Sequence, residues 1–129
     1  MLKRILIGIL KSVEATGEKA KDPNLKSRYF RLPKEQLMQE ISSVLKKMRG
    51  YKVLYEAPNV GEIVVEKRTA LGRIQDVTIT VIGLSPVKSS VDIYSASRGS
   101  FGDLGSNYRT IVEIFGALER SLAAYKETH

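Results

Sequence analysis

Four β-rich runs follow one another with almost nothing between them, and that succession restricts the fold more than any other feature of the chain. They are Tyr51 to Ala57, Glu62 to Thr69, Ile74 to Ile82 and Ser90 to Arg98. In the third, Val77, Ile79 and Val81 alternate with Asp76, Thr78 and Thr80; in the fourth, Val91 and Ile93 alternate with Asp92 and Tyr94. A period of two puts one set on a buried face and the other in water. The connections Pro58-Asn59-Val60-Gly61, Leu71-Gly72 and Leu84-Ser85-Pro86-Val87 are too short for parallel crossovers, so neighbouring strands are expected to run antiparallel in a meander.

Helical spacing brackets these runs. Ser27 to Leu32 suits a short strand, and Pro33 then suits the first helical position, where its fixed φ helps and its missing N–H costs nothing. Leu37, Ile41, Val44, Leu45 and Met48 recur on one face, and Gly50 is placed to end that helix. From Ser106 to about Lys126 a second stripe runs through Tyr108, Ile111, Phe115, Leu118, Leu122 and Tyr125. Strand, helix, four strands, helix implies an α+β two-layer sandwich: a curved antiparallel sheet of about five strands with two helices on one face. That order is similar to the TATA-binding-protein-like and helix-grip architectures, which by themselves license no function.

At 129 residues the chain holds one core. The expected organisation is an amphipathic N-terminal helix and polar arm over 1–26, then a single α+β domain over 27–129. Ile5 to Leu10 is too short an apolar run for a signal peptide, which needs roughly 7 to 15 residues, or for a membrane span of about 20. A cytoplasmic protein is therefore expected, with peripheral attachment to a membrane as one option. Read as a helix, Leu2, Ile5, Leu6, Ile9 and Val13 form one stripe with Lys3, Arg4 and Lys11 off it. Such a segment, Met1 to Val13, suits an anionic membrane surface, a second copy of the chain, or its own domain.

The chain contains no cysteine, and its only histidine is His129. Thiolate chemistry, histidine general bases and the usual zinc sites have nothing to build on, so no metal, cofactor or catalytic residue is assigned. The net charge of +7 invites an anionic partner, but Met1 to Arg28 carry seven Lys/Arg against three Asp/Glu. The body is thus close to balanced. Tyr51, Tyr55 and Tyr94 are spaced as strand residues and not as a stacking array, which disfavours nucleic acid.

The densest chemistry lies between Ser95 and Arg109. Alternation puts Ser95 and Ser97 on the buried face of the fourth strand and Arg98 on the other. Pairing the third and fourth strands about the Ser85 to Lys88 turn sets Asp76 opposite Ala96, one diagonal from Arg98, and predicts an Asp76–Arg98 ion pair. Asp103, Ser106 and Asn107 each compete to cap the last helix. Gly99, Gly102 and Gly105 free the loop backbone, and with a helix N-terminus, Arg98 and Arg109 they supply the ingredients of an anion site. The lysine and glycine spacing of a P-loop are missing.

Ser95, Ser97, Arg98, Asp103, Gly105, Asn107, Arg109 and Ile111 together resemble the signature of the bacterial and plant family catalogued as domain of unknown function fourteen-ninety-nine. A weaker similarity reaches back to about Tyr29. The resemblance implies no activity. It does imply an acid at the place of Asp76, and it exposes departures: family members carry an arginine where Tyr94 stands, a glycine one place after Gly99, and paired basic residues where Arg109-Thr110 stands. The leading expectation is a non-enzymatic domain that binds a small anionic or amphiphilic ligand through Ser95, Ser97, Arg98, Asp103, Asn107 and Arg109. The alternatives are a hydrolase-like enzyme using Asp103 or Asp76 as base, and a structural module that oligomerises through Met1 to Val13.

Overall fold

The computed structural model of the chain describes residues 13–98 and 105–127. Of the expected N-terminal helix over Met1 to Val13, residues 1–12 lie outside them, as does Asp103, and Val13 begins a strand. Within them the strands are β1 (Val13–Ala15), β2 (Arg28–Phe30), β3 (Tyr51–Ala57), β4 (Glu62–Arg68), β5 (Ile74–Ser85), β6 (Lys88–Ser97) and β7 (Lys126–Glu127). Two α-helices, α1 (Lys34–Lys47) and α2 (Ser106–Ser121), complete the fold. The sheet has the order β3-β4-β5-β6-β2-β7, with β1 also on β6, and every pairing is antiparallel.

The meander β3 to β6 forms for the reasons legible in its alternation. Ile63, Val65, Val77, Ile79, Val81, Val91 and Ile93 all point to one face and are buried there. Leu37, Ile41 and Leu45 of α1 and Ile111, Ile114, Phe115 and Leu118 of α2 close over them in one continuous core. Each such side chain contributes about 1.5–3 kcal/mol when taken fully out of water. Gly50, in the left-handed region at φ 88°, turns the chain from α1 into β3, and Arg68 N–H donates to its carbonyl at 2.8 Å.

The sheet has seven strands, not the five expected, because both additions lie where the sequence carries no alternation. β1 falls in the stretch that reads as a polar arm. Its pairing of Val13 with Ala96 and Ala15 with Tyr94 is secured by polar contacts just after it. The Thr16 hydroxyl donates to Asp92 Oδ1 at 2.7 Å and the Ser27 hydroxyl to the same oxygen at 2.6 Å. Ile93 N–H donates to Thr16 Oγ1 at 2.8 Å. One carboxylate on the sheet's outer face therefore clamps both ends of the arm. At the start of the arm's 3₁₀ turn, Pro23–Leu25, Tyr108 of α2 donates to Asp22 Oδ2 at 2.9 Å. At the other terminus α2 stops at Ser121, earlier than its apolar stripe suggests. A 3₁₀ turn, Ala123–Tyr125, then leads into β7 and leaves Tyr125 exposed.

Asp92→Ala removes the acceptor that Thr16 and Ser27 share. The expected outcome is faster amide hydrogen exchange at Thr16, Gly17 and Ser27, with the amides of β4 and β5 unchanged.

Candidate functional site

The corner where β6 hands the chain to α2 is held by two carboxamides. Ser95 and Asn107 are both fully buried, at 0% exposure, and a buried polar group must find its partners inside the protein. Ser95 Oγ donates to Asn107 Oδ1 at 2.6 Å, and Asn107 Nδ2 donates to Ser97 Oγ at 2.9 Å. Gln75 on β5 does the same for the next half-turn. Its Nε2 donates to Ser106 Oγ at 2.7 Å, and Thr110 Oγ1 donates to its Oε1 at 2.5 Å. The first turn of α2 is thereby sewn onto β5 and β6.

That use of Ser106 and Asn107 corrects the expected cap. The N-cap position belongs to Gly105, at φ 80°, and the side chains of Ser106 and Asn107 bond to the sheet; Asp103, the third candidate, lies outside the described residues. Ser106 and Asn107 have turned toward the sheet, so the helix opens on a glycine whose carbonyl accepts from Arg109 N–H at 3.0 Å. A Cβ at Gly105 would stand 3.4 Å from Arg109 Nη1, so the guanidinium lies back over the start of its own helix.

Arg98 is on the opposite face. Asp76 pairs with Ala96 in register, as the strand pattern predicts. Arg98 Nε donates to Asp76 Oδ2 at 3.0 Å and Nη2 to Oδ1 at 2.5 Å, with Glu66 Oε2 at 3.5 Å. The Arg98 hydrogen bonds hold the Asp76 carboxyl below the ordinary carboxylate range, against a smaller opposing effect of burial. In the same pairing, the carboxylate's hydrogen bond raises the arginine's pKa.

On the helix side of the sheet, the start of α2 and the β4–β5 turn enclose an open depression of about 360 Å³. Lys67, Arg73 and Arg109 bring three cations to it and Glu113 one carboxylate; Thr69, Ser106 and Thr110 add hydroxyls. Lys67 is held in place twice, by Glu113 Oε1 at 3.2 Å and by the Tyr51 ring, whose centroid is 4.2 Å from Nζ. Tyr51 donates to the same Glu113 oxygen at 2.5 Å. Burial first, and then that carboxylate, push the Tyr51 hydroxyl far above its ordinary value, so it remains a donor. Lys67, Arg73, Gln75 and Thr110 are site residues that the sequence reading missed. Their one signal is position, because three of them flank the Leu71-Gly72 turn that the meander requires. Among the described residues no group of three or more His, Cys, Asp or Glu could hold a metal ion, and no helix is long and apolar enough to cross a membrane.

The family model described as protein of unknown function (DUF1499) matches residues 10–118. The chain belongs to the DUF1499 family. No curated protein matches it. Among solved structures, a START-superfamily protein from Mycobacterium smegmatis is similar at 10% identity, over 87% of this chain and 94% of that one, with a TM-score of 0.44. A protein from Thermus thermophilus is similar at 12% identity, over 76% of this chain and 94% of that one, with a TM-score of 0.37. Set against the geometry, the DUF1499 signature is divided. Ser95, Ser97 and Asn107 meet one another between strand and helix, Arg98 faces outward with Asp76, and Arg109 stands at the rim of the depression.

Replacing Asn107 by alanine strands the buried Ser95 hydroxyl and the half-buried one of Ser97 and is expected to cost about 2 kcal/mol, read from urea denaturation. Asp76 gives a pH signature. Its folded pKa lies below the ordinary 3.8, so its contribution is present above that value and lost as the pH falls through the folded one. Both side chains are half exposed, so the effect is small and screened by salt. The stability gap between wild type and Asp76→Asn is expected to shrink as the pH drops below about 4.

Proposed function

We propose that this chain is a non-enzymatic binding domain for a small anionic ligand, seated in the depression at the start of α2. The observation that carries the reading is the convergence of Lys67, Arg73 and Arg109 on that depression, where Glu113 is the one carboxylate among the described residues. The helix adds to it. The N-terminus of α2 presents partial positive charge, and its first turn contains no acidic residue. Backbone N–H groups at a helix start and nearby guanidinium groups are together the chemistry that receives a phosphate or carboxylate. About 360 Å³ is at the small end of ligand sites, roughly 300 to 1,000 Å³, and suits a compact phosphate or carboxylate.

Base catalysis by Asp76 fits poorly. A general base at neutral pH works best with a raised pKa, whereas Asp76 is held low and has both oxygens engaged by Arg98. Ser95, Ser97 and Asn107 serve the reading indirectly, by fixing the helix start from which Arg109 projects.

Inorganic pyrophosphate is the probe of choice, titrated into the full-length protein by calorimetry with thermal stability followed in parallel. Saturable binding with a rising Tm is expected for the wild type. Arg109→Ala and Arg73→Ala should each weaken it about tenfold or more, the scale of a charge-assisted hydrogen bond. Binding that is unsaturable, or that both variants leave unchanged, contradicts the proposal.

A further inference from the structure

The cations of the body are not spread evenly. α1 ends in Lys46 and Lys47, with Arg49 just beyond. Arg68 closes β4 and Arg73 precedes β5. Arg49, Gly50, the β4–β5 turn, the end of β6 and the start of α2 all lie at one end of the sheet, as the Arg68–Gly50, Arg98–Ile74 and Gln75–Ser106 hydrogen bonds require. Lys46 and Lys47 offset the dipole of α1, but Arg49 and Arg68 have no such duty. Lys46, Lys47, Arg49 and Arg68 are all exposed, and among the described residues none of the four is in an ion pair. At the opposite end, the lysine after the β5–β6 turn, Lys88, is paired with Glu127 at 3.1 Å.

The apex of this basic end is apolar. Leu71 is 89% exposed, the most exposed large hydrophobic side chain among the described residues. Its turn is well braced: Gly72 N–H donates to Thr69 O at 2.9 Å, Thr69 N–H to Arg73 O at 2.8 Å and Arg73 N–H to Thr69 Oγ1 at 3.1 Å. A single exposed leucine needs no explanation in general. One held outward at the tip of a cationic end has the composition of a membrane-contacting loop, with a wedge for the headgroup region and a collar for lipid phosphates. β1 starts at this end too, since Val13 pairs with Ala96 near the end of β6. The segment whose sequence carries Leu2, Ile5, Leu6 and Ile9 beside Lys3, Arg4 and Lys11 therefore joins the domain at the same place.

We propose that this end of the molecule docks on an anionic lipid bilayer, with Leu71 in the headgroup region and Lys46, Lys47, Arg49 and Arg68 facing lipid phosphates. The proposal goes beyond the small-ligand reading: none of those four cations lines the depression, although Leu71 also stands at its wall. Nucleic acid fits the end less well. Single-strand binding relies on aromatic platforms, and Tyr51, which pairs with Lys67 at this end of the sheet, is buried.

The test is flotation of the full chain with phosphatidylcholine vesicles, with and without phosphatidylglycerol. Binding to the anionic vesicles alone, weakened by salt, is expected. Arg68→Ser should reduce the partition about fivefold, the effect of one cation near such a surface, with thermal stability unchanged. The chain has no tryptophan, so Leu71→Trp supplies a sole reporter at the apex, and its emission should shift to the blue on anionic vesicles. Equal binding to neutral vesicles overturns the proposal, as does tighter binding to a short oligonucleotide at the same salt. Binding with unmoved emission and no effect of Arg68→Ser also overturns it, by assigning the attachment to the N-terminal segment alone. Pyrophosphate binding is read separately and succeeds or fails on other residues.

Discussion

A carboxamide with no access to water must find a donor and an acceptor inside the fold, and Asn107 finds both on a single strand. Its oxygen accepts from Ser95 and its nitrogen donates to Ser97, two residues apart on the helix-facing side of β6. That spacing is the repeat of a β-strand, so the amide spans one step of the pleat and fixes both the rotation and the height of α2 above the sheet. Gln75 repeats the device from β5 with Ser106 and Thr110. Hydrogen bonds of this type are modest in net value when formed and costly when one partner is lost, which makes the seam specific in a way that the surrounding aliphatic core is not.

The consequence reaches beyond packing. Ser106 and Asn107 spend their side chains on the sheet, and α2 starts on Gly105. The same arrangement turns Arg109 back over that glycine and toward the depression it shares with Lys67 and Arg73. A seam of neutral polar groups thus sets the direction of the charged ones. Arg98, nominally part of the same run, takes no part in this. The pleat sends it to the outer face, where Asp76 and Glu66 engage it.

Much of this was legible in the sequence wherever a period was present. The meander, the two helices on one face and the Asp76–Arg98 pairing all follow from alternation and from one turn. β1 and β7 were not legible, because Val13–Ala15 and Lys126–Glu127 show no pattern. β1 is set by Asp92 reaching Thr16 and Ser27 across more than sixty residues of chain. For the corner, the residue types fit both a ligand and self-satisfaction, and no spacing rule tells these apart. Lys67 and Arg73 were hidden for another reason. Flanking charges read as ordinary solvated strand ends until the helix start is set beside them.

Native mass spectrometry of gently purified full-length protein tests the division between seam, outer face and depression most directly. The account predicts a discrete small anionic adduct on the wild type that persists in Arg98→Ala and disappears in Arg109→Ala. An adduct lost in Arg98→Ala yet retained in Arg109→Ala, or bare protein throughout, would contradict it.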